Sequence, residues 1–296
     1  MTLNRLFFLL VCPILLISCI KAEALDWELE LPKEVFVLPD SSVATLRMAI
    51  IGDSISSFKG SSPSDLNGYE GASYQYYYPK GDVRRIECMW WYKVARVLEI
   101  PLENICNCSW SGSRVTGNST STTSASAGCS TKRVIDLSSK GFDPDIVLCF
   151  ISCNDWAGNV SLGDWSFTEE IPMDGIISTT REAYALMIAK IREQYPSCLI
   201  FCLTNLEDTK RDYTPGWPSN NRKGVSVNDW NTSLTELFTS LGCFTIDLQD
   251  CGINYDNLPN YTIDGGLHPN NAGMTLIANK VVTELIKRFE LTQDAN

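Results

Sequence analysis

The stretch AIIGDSISS, residues 49–57, ends a long apolar run on a glycine and a small hydroxyl. The run covers residues 43–51 and is interrupted only by Thr45 and Arg47. Such continuous apolar character is typical of a parallel strand covered on both faces. Two interpretations of its end are open. It is either an ordinary strand-to-helix turn or a turn that displays Ser54 as a nucleophile at the tip of a sheet.

Further apolar runs alternate with helical patterns along the chain. The predicted strands are residues 44–52, 103–109, 145–153, 198–204 and 243–248. The predicted helices are residues 88–98, 178–195, 226–241 and 270–290. Repeated strand–helix alternation predicts an α/β fold with a doubly wound parallel sheet. Functional sites in such sheets lie at the carboxyl ends of the strands.

Chemically useful residues follow these predicted strand ends. Gly112 follows the second strand in SWSGSRV, and Asn154 follows the third in SCND. The last helix is preceded by DGGLHPN, which contains Asp264 and His268. A serine nucleophile needs a base within hydrogen-bond reach and an acid that orients the base. Because His268 is the only histidine in the chain, a serine–histidine mechanism must use it.

These blocks resemble the SGNH, or GDSL-type, hydrolase superfamily, in the family's order and over residues 52 to 269. The resemblance implies a flavodoxin-like three-layer α/β/α sandwich with a central parallel sheet of about five strands. It implies ester hydrolysis through an acyl-serine, with Ser54 as nucleophile, His268 as base and Asp264 as acid. The implied oxyanion donors are the backbone N–H groups of Ser54 and Gly112 and the side-chain amide of Asn154. No cofactor and no metal are implied.

Two positions depart from the family's pattern. Ser152 stands where a glycine usually precedes the asparagine of the third block by two residues. Three residues, instead of two, separate Asp264 from His268, and Gly265-Gly266 offers flexibility to absorb the extra one. Asp256 is a poorer substitute for the acid.

The first residues predict export. Residues 1–18 combine a basic start with a short apolar run, as in a signal peptide, and they end at Cys19 in a sequence that resembles a bacterial lipobox. The alternative is ordinary cleavage after Ala22 or Ala24. Residues 19–42 are then a tether and lead-in, and residues 43–290 the hydrolase domain. We expect a membrane-anchored lipoprotein, periplasmic or at the cell surface, that contacts membrane only through lipid on Cys19.

The composition of the chain limits which binding partners, metals and disulfides are expected. The formal net charge of −11 shows no basic nucleic-acid footprint. A single histidine cannot build a histidine-rich metal site. Most cysteines lie in apolar runs and are expected to be buried thiols, although Cys106 with Cys108, or Cys88 with Cys129, could pair.

The substrate is expected to be a small-molecule or glycan ester. The chain resembles a bacterial subgroup of exported SGNH proteins, which implies removal of acetyl or other small acyl groups from carbohydrates. Two alternatives stay open: a lipase or thioesterase-like acylhydrolase, and a surface glycan-binding protein with an inactive site. Aromatic residues are candidates for the mouth of the site: Tyr76, Tyr77, Tyr78, Trp90, Trp91, Trp110, Trp156 and Trp165.

Overall fold

A computed structural model describes residues 46–61, 76–123, 127–206 and 220–293 of the chain. The strands in these ranges are β1 (Met48–Gly52), β2 (Ile105–Asn107), β3 (Gly117–Asn118), β4 (Ile146–Phe150), β5 (Ile176–Ile177), β6 (Leu199–Leu203) and β7 (Phe244–Ile246). The α-helices are α1 (Trp90–Val97), α2 (Thr131–Ile135), α3 (Cys153–Ala157), α4 (Thr180–Gln194), α5 (Val227–Ser240), α6 (Leu258–Tyr261) and α7 (Asn271–Gln293).

Five strands form one parallel sheet in the order β2-β1-β4-β6-β7. The register pairs Met48 with Ile146 and Gly52 with Phe150, so β1 and β4 end side by side. Every residue of these two strands is buried. Burial of both faces explains why the sequence runs are continuously apolar instead of alternating.

Helices cover both faces of the sheet. On one face, Ala49 of β1 and Cys149 of β4 belong to a buried cluster that includes residues of α4 and α5. On the other face, Trp90 of α1 meets the Phe150 ring edge-on at 5.9 Å, and α1 packs against α7. The predicted three-layer α/β/α fold with a five-stranded parallel sheet is therefore confirmed.

The helix ends follow local sequence signals. The hydroxyl of Ser226 accepts a hydrogen bond from the Asp229 backbone N–H and caps α5. The same helix ends before Gly242, whose φ of +66° is a left-handed conformation that suits glycine. Helix α4 stops before Pro196, as its sequence predicts.

Some predicted elements are shorter than expected. The strand predicted at 103–109 is reduced to β2, because Leu102–Asn104 forms a turn of 3-10 helix in front of it. The strand predicted at 145–153 ends at Phe150, and α3 begins at Cys153.

The composition of the hydroxyl-rich segment 117–131 is typical of a mobile surface loop, but part of the segment is built into the fold. β3 pairs with β5, and Ser119 and Cys129 are fully buried. The Ser119 hydroxyl donates to the Asp174 carboxylate at 2.6 Å, so its polar side chain is satisfied inside the protein.

The cysteines within the described ranges are free thiols, and nine of these ten are buried. Neither pair that the sequence left open forms a disulfide; the sulfurs of Cys106 and Cys108 are 3.8 Å apart. The predicted signal peptide 1–18, Cys19 and the lead-in 19–42 lie outside the described residues. None of the helices in the described part of the chain is long and apolar enough to span a bilayer.

Candidate active site

Gly52 ends β1 at a point where no side chain fits. A Cβ atom there would lie 2.7 Å from Ser109 Oγ and 2.9 Å from the Cβ of Ser56. These contacts are shorter than van der Waals packing allows, so a larger residue would displace one of the two segments. The close approach lets the chain turn directly from the strand into Asp53 and Ser54.

The carbonyl of Gly52 anchors this turn. It accepts hydrogen bonds from the Trp110 backbone N–H at 3.1 Å, from Ser113 Oγ at 3.1 Å and from Arg133 Nη2 at 3.0 Å. Arg133 is fully buried, and burial lowers the pKa of its guanidinium to about 10. The strand tip is thereby tied to the loop that follows β2 and to α2.

The structure brings Ser54, His268 and Asp264 together across 214 residues of sequence. His268 Nε2 lies 3.0 Å from Ser54 Oγ, and His268 Nδ1 lies 2.5 Å from Asp264 Oδ2. An imidazole that donates from Nδ1 to the carboxylate leaves Nε2 free to accept the serine proton. All three side chains are at least mostly buried, so little water competes for these bonds.

The additional residue between Asp264 and His268 is accommodated by a compact turn. Asp264 Oδ1 accepts the backbone N–H groups of Leu267 and His268 at 3.0 Å, while Oδ2 faces the imidazole. Gly265 adopts a φ of +80°, which a residue with a side chain rarely adopts. The carboxylate therefore holds both the loop and the ring, and this geometry needs no contribution from Asp256.

A second buried carboxylate, Asp53, stands directly before the serine. Its oxygens accept from the Ile55 backbone N–H and from the Cys153 thiol, both at 3.0 Å. Burial raises the pKa of Asp53 above its ordinary value, and these hydrogen bonds oppose that rise. Asp53 thus joins the first strand tip to the start of α3.

Gly112 and Asn154 are the other two candidate oxyanion donors. Gly112 is exposed in a tight turn at φ +76°, and nothing lies within 4 Å of the position of a Cβ. The Asn154 amide donates to the Ser113 carbonyl at 3.0 Å, which fixes its orientation and leaves its second N–H available. The two candidate donors are thus joined through Ser113.

The backbone conformation of Ser152 explains why a glycine is usual at this position of the motif. Its φ of +150° lies in a region that L-residues rarely adopt, so the backbone here is strained. Its hydroxyl donates to Asn205 Oδ1 at 2.9 Å, and its carbonyl accepts the N–H groups of Asp155 and Trp156 in α3, both at 3.0 Å. Ser152 thereby begins the helix that carries Asn154.

Asp155 is a positioning group that no sequence motif marks. It is fully buried and accepts from the backbone N–H of Val115 at 2.9 Å, the backbone N–H of Thr116 at 3.1 Å and Thr116 Oγ1 at 2.6 Å. Burial raises the pKa of this carboxyl to about 6, against the lowering effect of those hydrogen bonds. Asp155 therefore holds the segment that contains Gly112 against α3.

Most of the aromatic candidates do not line the mouth. Trp90, Trp91 and Trp156 are fully buried, and the indoles of Trp90 and Trp91 donate to Ser56 behind the nucleophile turn. Trp110, Trp165 and Tyr78 are also buried. The partly exposed candidates are Tyr76 and Tyr77, and the ring of Tyr77 stacks on His268.

Within the described ranges, no three His, Cys, Asp or Glu side chains cluster in a way that would hold a metal ion. The arrangement that is present supplies a hydroxyl, a base, an orienting carboxylate and nearby neutral donors. Together these are the parts needed for nucleophilic attack on an acyl carbon.

The comparisons with known proteins agree with this chemistry. The profile of the GDSL-like lipase/acylhydrolase family matches residues 46–218. No curated protein matches the sequence. Among solved structures, one described as a GDSL-like lipase from Bacteroides ovatus ATCC 8483 is similar with a TM-score of 0.56 at 21% identity, covering 82% of this chain and 99% of its own.

Two further solved structures show the same fold. One, described as a GDSL-like lipase from Bacteroides uniformis ATCC 8492, has a TM-score of 0.55 at 23% identity and covers 81% of this chain and 95% of its own. The other, a protein from Lactobacillus plantarum, has a TM-score of 0.55 at 17% identity and covers 82% and 97%. At these identities the likeness concerns the fold.

Proposed function

The chain belongs to the GDSL-like lipase/acylhydrolase family, and from that premise we propose that it is a serine esterase with Ser54 as its nucleophile. One observation carries the proposal: the Ser54 hydroxyl lies 3.0 Å from Nε2 of the only histidine, whose Nδ1 is 2.5 Å from a carboxylate. A hydroxyl, an imidazole and a carboxylate in this order are sufficient for general-base activation of the serine.

The first half of the reaction forms an acyl-enzyme. Ser54 Oγ attacks the ester carbonyl carbon while its proton passes to His268 Nε2, and the carbonyl π pair moves onto oxygen. Asp264 stabilises the imidazolium that results. The tetrahedral intermediate then collapses, and the leaving alcohol takes the proton from Nε2.

The second half releases the acid. A water molecule gives a proton to Nε2 and attacks the acyl carbon, and the second tetrahedral intermediate collapses as its bond to Ser54 Oγ breaks and Oγ takes the proton from Nε2. The backbone N–H groups of Ser54 and Gly112 and the amide of Asn154 are the proposed donors to the oxyanion in both halves. Neutral donors that are fixed in place before reaction need no reorganisation as the charge develops.

For the substrate, we propose acetyl or other small acyl groups on carbohydrates. Tyr77 supports a sugar because its ring lies beside the base and is only partly buried, so that its edge offers apolar surface to a sugar ring. A lipid ester is the second candidate. It is favoured by exposed apolar side chains between α3 and β5: Phe167, Ile171, Met173 and Ile176.

Active-serine labelling followed by product analysis tests the proposal. A fluorophosphonate probe should label the wild type and the control Ser197→Ala, in which an exposed hydroxyl remote from the site is removed, but not Ser54→Ala. The unlabelled enzyme should release acetate from acetylated xylan, pectin or sialoglycans, and His268→Ala should not.

The products distinguish the candidates. Rates on p-nitrophenyl esters that fall from C2 to longer chains support small acyl groups, and rates that rise with chain length support lipid esters. Glycan binding without probe labelling would favour the binding protein with an inactive site. Ester hydrolysis that is unchanged in Ser54→Ala would refute the serine mechanism.

We also propose that the protein is exported and tethered through lipid on Cys19, with no nucleic-acid partner. The support is the charged start, the short apolar run and the cysteine at residues 1–19. When cells are grown with labelled palmitate, the wild-type protein should carry the label and be found in the membrane fraction, and Cys19→Ala should not. Equal labelling of the two would refute the anchor.

A further inference from the structure

Tyr77 lies face to face with the candidate base. Its ring centroid is 3.5 Å from that of His268, and the two planes differ by 7°. Its hydroxyl donates to Asp264 Oδ2 at 3.4 Å, the oxygen that also faces His268 Nδ1. One side chain therefore contacts both partners of Ser54.

The backbone around Tyr77 fixes the ring to both halves of the site. The Tyr77 N–H donates to Ser57 Oγ at 2.9 Å, three residues after Ser54. The hydroxyl of the next residue, Tyr78, donates to the Pro269 carbonyl at 2.6 Å, one residue after His268. Tyr77 and Tyr78 thus connect the nucleophile turn to the loop that carries the base.

The outer face of the ring is occupied as well. Lys80 Nζ lies 4.4 Å from the Tyr77 ring centroid. A cation at this distance is attracted to an aromatic face. Because His268 covers one face at van der Waals distance, Lys80 must lie over the other. The tyrosine is held between the imidazole and an ammonium group and has little freedom to tilt.

We propose that Tyr77 is a positioning residue for the hydrolysis: its ring fixes the plane of the His268 imidazole so that Nε2 faces Ser54 and Nδ1 faces Asp264. This inference rests on the proposed serine mechanism. The contacts of Nδ1 with Asp264 and of Nε2 with Ser54 hold two edges of the ring, but they leave the imidazole free to tilt about the line that joins them. Stacking removes this motion, since a rotated ring would lose the parallel contact.

The stack has a kinetic consequence. Proton transfer from Ser54 depends on the alignment of Nε2 with the hydroxyl, and a misplacement of about 1 Å can cost about 100-fold in rate. Ground-state binding of a small ester does not depend on the orientation of the imidazole. Loss of the stack should therefore lower kcat and leave KM nearly unchanged.

Three variants test the proposal on one ester, p-nitrophenyl acetate. Tyr77→Leu removes the aromatic face, and we expect kcat to fall by about 10- to 100-fold with KM within about twofold. Tyr77→Phe keeps the face and loses only a long hydrogen bond, so kcat should stay within about threefold of the wild type. Tyr92→Leu is the matched control in a partly exposed tyrosine of α1 that does not stack on His268, and it should leave both constants unchanged.

The rate of fluorophosphonate labelling gives a second measurement, because it depends on serine activation and not on ester binding. It should follow kcat across the series, and a thermal unfolding curve for each variant should show that it is folded. Equal kcat in Tyr77→Leu and wild type, with Ser54→Ala inactive, would overturn the positioning role and leave the serine mechanism intact. A parallel loss in Tyr77→Phe and Tyr77→Leu would also overturn the stacking argument. If the wild type itself neither labels nor turns over, the serine mechanism falls and the positioning role falls with it.

Discussion

Replacing Asp155 by asparagine should disable the proposed oxyanion hole without touching the nucleophile or the base. Asp155 Oδ1 accepts from the backbone N–H and hydroxyl of Thr116, and Oδ2 accepts from the Val115 N–H. Asparagine has one oxygen in place of two. If the oxygen keeps the two bonds to Thr116, the amide NH2 faces the Val115 N–H, donor against donor.

The structural cost follows from that mismatch. A buried N–H left without an acceptor costs about 1–3 kcal/mol. Removal of a buried negative charge offsets part of this, so we expect the free energy of unfolding at pH 7 to fall by about 1–2 kcal/mol. Val115 lies three residues after Gly112, and relief of the mismatch moves this segment away from α3. Loss of one oxyanion donor typically lowers kcat by about 100- to 1000-fold.

Steady-state hydrolysis of p-nitrophenyl acetate measures the effect. We expect kcat of Asp155→Asn to fall by about 100-fold with a small change in KM. Asp164→Asn, which makes the same charge change at an exposed position, is the control and should behave as wild type. If Asp155→Asn lowers the free energy of unfolding but keeps kcat within about twofold, the carboxylate supports only folding and the link to Gly112 is wrong.

Three other predictions follow from neighbouring positions. The pKa of about 6 for Asp155 lies above its ordinary 3.8, so the folded state binds this proton more tightly than the unfolded state. The stability it adds is therefore full below about pH 4 and is lost as pH rises through 6, by about 3 kcal/mol; urea unfolding at pH 4 and pH 7 should show this loss in wild type and not in Asp155→Asn. Gly52→Ala should reduce kcat at least about 10-fold and destabilise the fold by about 1–3 kcal/mol, because the new methyl group meets Ser109 Oγ at 2.7 Å; wild-type kinetics would contradict this. Ser152→Gly should be more stable than Ser152→Ala by about 1–2 kcal/mol in thermal unfolding, since both lose the bond to Asn205 but only alanine keeps the strained φ; equal stability would mean that this backbone stores no strain.

The fold could be predicted because its strands are buried on both faces. Residues 48–52 and 146–150 are apolar throughout, and short apolar runs that alternate with longer helical patterns are typical of parallel strands buried on both faces. The helices that were missed are short. α2 and α3 have five residues each and α6 has four, too few to show a 3.6-residue period.

The site could be predicted only where a motif marks it. Ser54, Gly112, Asn154 and His268 follow strand ends or precede a helix, and the topology gathers such positions. Asp155 adjoins a predicted residue, yet its function comes from Val115 and Thr116, about 40 residues away in sequence. A sequence motif does not show from which backbone N–H groups a carboxylate accepts hydrogen bonds.

The stacking of Tyr77 and the burial of serines within residues 117–131 could not be predicted for a related reason. The stack on His268 joins residues 191 positions apart, and a run of tyrosines predicts only packing in a loop. The polar composition of residues 117–131 predicts a surface loop, whereas Ser119 and Ser130 are themselves buried and hydrogen-bonded. Composition indicates whether a side chain favours water or the interior, and tertiary contacts decide whether it is buried in the folded protein.

The three donors on the Gly52 carbonyl come from two segments of the chain, the loop after β2 and helix α2; one donor is a backbone N–H and two are side chains. Because three donors hold this carbonyl, we expect the turn at Ser54 to tolerate replacement of Ser113 or Arg133, one at a time, since two hydrogen bonds to the carbonyl remain. Gly52 itself has no such alternative, because any side chain at this position would clash with Ser109 and Ser56. Across distant homologues, the donors should exchange identities while the acceptor stays fixed.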